Sequence, residues 1–324
     1  MKEGGYPSRP LFFCKGISPV GVLIFLARRG YASELVVEPP VQYPVTRGGC
    51  SLLKSKIVVY CSVDSFLSPR GKFLYGFDRF QAELDQLAIP CVWLSSRSRL
   101  QLDEPRRRAG HTGPFIAEDG CAIYLPEDYF HLKPSKTARL GRFTSIPIAK
   151  AQPAAADALE SLSEEASVPV VPLRSLSPRE LAQNIGLPNH EAELARQRDF
   201  DELFFFAGTN EKDITRFKSL AAQKGLSLHE HGVFFSLAVK RDIRQCIREL
   251  GNLFDRSMRA HVNRLAIAPS AGSDATFSAC DRGIRLSASS KEAENIGSNS
   301  RLSEIPITSP DLWDRVLTTI TSRG

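Results

Sequence analysis

Two short polar clusters in this chain each follow an apolar run. Ile57-Val58-Val59-Tyr60-Cys61 gives way to Ser62-Val63-Asp64-Ser65, and Cys91-Val92-Trp93-Leu94 gives way to Ser95-Ser96-Arg97. Hydroxyls, a carboxylate and a guanidinium just beyond buried strands suit an anionic ligand, because open parallel sheets bind ligands outside the carboxyl ends of their strands. Ser62 and Asp64 stand two apart, so on an extended strand both side chains point the same way, and Asp64 could orient a serine nucleophile. Plainer readings compete. Asp64 reads as a turn aspartate bonded to its own backbone, and Ser95 as a helix cap, a role that uses the same exposed amides as anion binding.

Other candidates lie further along. His229 and His231 flank Glu230, a spacing that suits zinc or copper given a third ligand; the sequence offers none, and exposed strand or loop histidines are the expectation. Arg198 and Glu202 either contact a ligand or form a salt bridge within their own segment. The Phe204-Phe205-Phe206 run and Phe234-Phe235 read as sheet core. Arg106-Arg107-Arg108 has no interleaved aromatics to stack on bases and reads as a solvated helix end; nucleic acid is not an expected partner.

These residues need elements to hold them. A strand over 57–60, then Phe77, Phe80, Leu84 and Leu87 at helical spacing, then a strand over 89–94 make a βαβ unit that feeds a parallel sheet. A strand over 114–117 leads into Glu118-Asp119-Gly120, a turn, and a hairpin return. On this reading residues 55–130 are the first half of a core.

From 131 to 238 the character changes. A linker rich in Ala, Pro and Ser precedes Ser177-Pro178-Arg179-Glu180, a capping box with proline at the first helical position. Helices over 191–197 and 211–225 and strands over 201–207 and 233–239 follow, an inserted α/β segment that behaves as a cap. Residues 239–324 resume the core with a helix bearing Ile243, Cys246, Ile247 and Leu250, strands over 264–268 and 284–286, a polar stretch over 287–300 and a final helix after Ser309. Residues 1–54 form an N-terminal extension with no convincing period and no usable motif.

Forty-two Lys and Arg against 36 Asp and Glu give a formal charge of +6, which favours an anionic ligand. The seven cysteines are odd in number and show no Cys-x-x-Cys spacing. Several sit inside apolar runs, as buried free thiols do, so a cytoplasmic location is expected. The apolar stretch over 21–27 ends at Arg28-Arg29, far short of the roughly 20 residues of a membrane span. Neither a transmembrane helix nor an export signal is expected, and the oligomeric state is not legible.

The stretch Ser62-Val63-Asp64-Ser65-Phe66-Leu67 resembles the first motif of the haloacid dehalogenase superfamily, Asp-x-Asp-Gly-Thr-Leu, with Ser62 where the first aspartate stands. Three further stretches resemble its mannosyl-3-phosphoglycerate phosphatases: Ile89 to Arg99, whose Ser95-Ser96-Arg97-Ser98-Arg99 matches Ser-Ser-Lys-Thr-Arg; Pro114 to Ile123, which matches Pro-Phe-Ile-x-Glu-Asn-Gly-Gly-Ala-Ile; and Ile185 to Phe204, which tracks Gly-Leu-Pro and Arg-Glu-Phe/Tyr-Asp-Glu-Pro-Phe. The resemblance covers roughly residues 55 to 323. It implies an α/β fold, a Rossmann-like parallel-sheet core of the haloacid dehalogenase type with an inserted α/β cap. It also implies magnesium-dependent hydrolysis of a sugar phosphate through an aspartyl-phosphate, a carboxylate nucleophile splitting one hard displacement into two, with acidic residues completing the oxygen shell of the ion.

Carried over residue by residue, the implied site is Ser62 at the nucleophile position and Asp64 as the second aspartate. Ser95, Ser96, Arg97, Arg198, Glu202, Lys240 and Arg241 would contact phosphate or substrate, and Asp64 and Asp274 would hold metal. Ala268-Pro269-Ser270-Ala271-Gly272-Ser273 aligns with the acidic Gly-Asp-Ser-x-Asn-Asp, so Pro269 and Ser273 replace both metal carboxylates and Asp274 lies one position off. The lysine motif is represented by Lys240-Arg241-Asp242 alone. Losing groups that act as a unit costs several orders of magnitude in rate. The expectation is a weak or inactive phosphatase that retains sugar-phosphate binding, with an active enzyme using a rebuilt site as the alternative.

Overall fold

The computed structural model describes residues 56–132, 134–269, 272–288 and 301–321. The extension over 1–54, Ser270 and Ala271 of the fourth motif and most of the polar stretch over 287–300 lie outside the described residues.

In chain order the elements are β1 (Ile57–Ser62), α1 (Phe77–Gln86), β2 (Cys91–Leu94), α2 (Arg99–Arg108), β3 (Phe115–Ala117), β4 (Ala122–Pro126), β5 (Ala138–Leu140), β6 (Phe143–Pro147), α3 (Gln152–Ala166), β7 (Val170–Pro172), α4 (Pro178–Ile185), α5 (Asn189–Arg196), β8 (Glu202–Phe206), α6 (Glu211–Gln223), β9 (Leu226–His231), β10 (Phe234–Val239), α7 (Ile243–Met258), β11 (Asn263–Pro269), α8 (Asp274–Ser278), β12 (Arg282–Ser287), β13 (Leu302–Pro306) and α9 (Leu312–Thr321). Nine strands form one sheet in the order β13-β12-β11-β1-β2-β3-β4-β6-β5. It is parallel from β13 to β3 and antiparallel beyond. The other four make a separate antiparallel sheet, β7-β8-β10-β9.

The apolar run at 57–61 lies in the middle of the large sheet because it is apolar on both faces. Val59 and Cys61 pack with Phe77, Phe80 and Trp93 on the α1 and α9 side; Val58 and Tyr60 pack with Ile247, Leu250 and Phe254 of α7 on the other. A one-residue slip would exchange the two sets, so the register that sets Ser62 at the strand end is held by both cores. The small sheet has its own cluster, in which Phe204, Phe217, Phe235 and Leu237 pack against Leu159 and Leu162 of α3.

Three expectations change here. The Ala-, Pro- and Ser-rich stretch is no linker: residues 152–166 are a 15-residue helix with proline in its first turn, in keeping with alanine's high helix propensity. Residues 138–147, read as part of the insertion, belong to the large sheet, β6 pairing with β4 and β5 with β6. Arg106 is buried beneath the solvated end of α2. Its guanidinium lies 4.2 Å from the Phe115 ring centre and donates to His111 Nδ1 and the Gly113 carbonyl. Among the described residues, no helix is long and apolar enough to cross a membrane.

Candidate functional site

At the carboxyl end of β1 the chain turns into a single 3₁₀ turn, Val63–Phe66. Ser62 is therefore a strand residue and Asp64 a turn residue, so strand alternation does not relate their side chains. The Asp64 carboxylate joins the ends of β1 and β2. Its Oδ1 accepts from Ser95 Oγ at 2.5 Å, and its Oδ2 accepts from Ser96 N at 2.7 Å and Ser96 Oγ at 2.8 Å. Arg97 Nε stands 3.7 Å from Oδ1, while the same guanidinium donates to the carbonyls of Leu67 and Ser68. Asp64 thus bonds the second polar cluster and not its own turn. Ser95 is not the cap of α2 either: Ser98 fills that role in a capping box with Gln101.

The turn after β3 forms the other wall. Glu118, Asp119 and Gly120 all have left-handed φ, at 53°, 55° and 94°. Glycine is required at 120, where a Cβ would stand 2.6 Å from Ile243 Cα. The buried Glu118 carboxylate accepts the backbone N–H groups of Asp199, Phe200 and Asp201, each at 2.9 Å. Burial pushes the Glu118 carboxyl up to about 7, with Arg198 acting against it. Arg198 pairs bidentately with Asp201, at 2.6 and 2.9 Å, and donates to the Ser96 carbonyl. Arg198 and Glu202 are thus not partners. Glu202 faces Arg174, at 3.2 Å, and Gln152, and its burial, opposed by Arg174, raises its carboxyl.

Asp119 gathers three donors on Oδ2: His231 Nε2 at 3.1 Å, His229 Nδ1 at 3.4 Å and Arg241 Nη1 at 3.1 Å. Burial alone would push the Asp119 carboxyl up, but the two imidazoles and the guanidinium hold it well below the usual carboxylate range. The histidines expected to be merely exposed therefore face a core carboxylate, and His231 is only 17% exposed. Arg241 is 1% exposed and turned inward. Its neighbour Lys240 instead borders a separate groove of about 450 Å³ beside α7, with Lys136 and Arg256.

The structure thus joins Asp64, Ser95, Ser96, Arg97 and Arg198 in one hydrogen-bonded network, and Glu202, Lys240 and Asp274 have their described contacts outside it. Asp274, whose side chain is 87% exposed, sits 3.4 Å from Arg285. Sequence reasoning gave no role to Glu118, Asp119 or Asp201, although Glu118-Asp119-Gly120 was visible as a turn.

Magnesium demands near-octahedral oxygen ligation, and the donors at the strand ends do not fit it. Both Asp64 oxygens already accept hydrogen bonds, and Ser62, Pro269 and Ser273 bring no carboxylate. Among the described residues, the one group of three acidic or thiol side chains with close ligand atoms is Glu118, Cys121 and Asp201. Its carboxylates are already spent on backbone amides and on Arg198.

Comparison with solved structures decides the fold. A phosphatase of the haloalkanoate superfamily from Bacteroides thetaiotaomicron superposes with TM-score 0.54 and 16% identity, over 86% of this chain and 98% of that one. A haloacid dehalogenase-like hydrolase from B. subtilis gives 0.51 and 13%, over 77% and 94%. The fold is that of the haloacid dehalogenase superfamily.

No protein-family model matches the chain. By sequence the chain is 22% identical over 202 residues to a glucosyl-3-phosphoglycerate/mannosyl-3-phosphoglycerate phosphatase of Methanococcoides burtonii, spanning 61% of this chain and 73% of that one. It is 28% identical over 176 residues to the mannosyl-3-phosphoglycerate phosphatase of Pyrococcus furiosus, spanning 54% and 69%. A third such protein, from Persephonella marina, is 24% identical, and the match spans 61% of its length. The chain is a distant relative of these phosphatases.

Proposed function

We propose that this protein binds a phosphorylated glycosylglycerate between its two sheets and hydrolyses it weakly or not at all. The observation that carries this reading is the pairing at the end of β1. Ser62 stands where the resembling motif has its attacking aspartate, and the one remaining carboxylate, Asp64, is held by Ser95 and Ser96. A serine hydroxyl is a weak nucleophile without an adjacent base, and a carboxylate that already accepts three hydrogen bonds is a poor base. The names of its relatives as phosphatases and the arginines beside Asp64 and Ser96, Arg97 and Arg198, support the ligand class.

The test is phosphate release from mannosyl- and glucosyl-3-phosphoglycerate, with magnesium and with chelator, beside calorimetric binding of the same compounds. The expected result is binding without turnover. A variant carrying Ser62→Asp, Pro269→Asp and Ser273→Asp should gain magnesium-dependent release. Magnesium-dependent turnover by the unaltered protein as fast as that of this variant would overturn the proposal, as would absence of binding.

A further inference from the structure

The His229 and His231 pair has no part in the proposed ligand reading, yet it meets the core at a specific place. Strand β9 carries both rings, and both direct a nitrogen at Asp119 Oδ2, on the turn between β3 and β4. Arg241, just past β10, reaches the same oxygen. Ser236 Oγ lies between His231 Nε2, at 3.0 Å, and Arg241 Nη1, at 2.9 Å. Behind Arg241 lies Asp201, at 3.9 Å, itself paired with Arg198, and Glu118 abuts that pair through the backbone amide of Asp201. Glu230, between the two histidines, faces Lys218 instead. A dication at the histidines would meet the Arg241 guanidinium on the shared oxygen, so the arrangement is a hydrogen-bonded one and not a metal site.

We infer that Asp119, His229 and His231 form a proton-operated latch between the large sheet and the small one. Arg241 is charged at every physiological pH and supplies a constant bond to Asp119. Histidine as a residue type changes charge between about pH 5 and 8, and charge-assisted hydrogen bonds are about twice as strong as neutral ones. Protonated rings therefore tighten the junction, and it loosens as pH rises through the imidazole range. The stretch that Pro114–Ile123 resembles has asparagine at the position of Asp119, which could not make this ionic contact.

The experiment is amide hydrogen exchange on the full chain, read by mass spectrometry at about pH 5.5 and about pH 8 to bracket imidazole titration, with labelling times scaled for the chemical exchange rate. Peptides covering 118–121 and 226–239 should lose roughly tenfold in protection at the higher pH, the order of the difference between a charge-assisted and a neutral hydrogen bond. Peptides from β11 should not change. In Asp119→Asn, and separately in the double variant His229→Gln with His231→Gln, the tenfold change should vanish. The double variant keeps the Arg241–Asp119 bond, so it decides the matter if Asp119→Asn does not fold. No pH response in the unaltered chain, or an equal response in the folded variants, would overturn the latch.

Discussion

Asp64 shows how one side chain can tie two strand ends together. Three donors converge on its carboxylate, and one of them, Ser95, is 5% exposed. Removing the acceptor strands buried donors, at about 1–3 kcal/mol for each group left unsatisfied. Asp64→Ala should therefore lower unfolding stability by about 2 kcal/mol, measured by urea denaturation, while Asp64→Asn, which keeps one acceptor, should cost less. Equal stability in all three proteins would mean that the carboxylate is not what ties β1 to β2. The residue types at this site were legible in the sequence, but their partners were not. Ser62 and Asp64 looked like strand neighbours because nothing local marks the 3₁₀ turn at Val63–Phe66, and Asp119 looked like a turn residue because its donors lie more than 100 positions away.

Elements show the same division between local and distant signals. The capping box at Ser177 was readable from four consecutive residues and is present. At the end of α2 only Arg106 was misread, because it is covered by Phe115 of β3 and Phe143 of β6, whereas Arg107 and Arg108 are exposed. That burial has a measurable consequence. Arg106 donates to His111 Nδ1, so His111 Nε2 carries the proton that bonds the Cys91 carbonyl at 2.8 Å, and the ring stacks on Trp93. Burial, with the Arg106 charge adding to it, holds the His111 imidazole well below its ordinary range. The sign follows: below the unfolded value of about 6.5 the unfolded chain takes up a proton that the folded chain refuses, so stability falls with acidification by up to about 1.4 kcal/mol per pH unit. Stability from this residue is full above that value. His111→Gln should remove this component from a stability-versus-pH curve measured by denaturant titration; an unchanged slope between about pH 6.5 and 5 would show that His111 is not its source.

For the whole molecule, the large sheet with its flanking helices and the small sheet have separate apolar clusters. Both tryptophans, Trp93 and Trp313, belong to the large one. Phe204→Ala, at a fully buried position of the small one, should cost about 3–5 kcal/mol and shift the circular-dichroism transition while leaving the tryptophan fluorescence transition in place. A joint shift of both would show that the chain unfolds as one cooperative unit. The parallel arrangement of this scaffold was legible because β1, β2 and β11 are short apolar runs. The outer strands β5 and β6 and helix α3 were not, since their apolar partners lie in other segments. One further consequence comes from the turn at 118–121. Its last carbonyl, from Cys121, accepts the amides of Ile148 and Ala149 where the chain leaves the large sheet, and the Gly120 carbonyl accepts the amide of Asp242 where it returns. Between them, Lys150 donates to the Val239 carbonyl. The outgoing and returning strands of chain are thereby tied to one fulcrum and to each other. Any swing of the small sheet away from the large one would have to pivot on this turn or break these bonds.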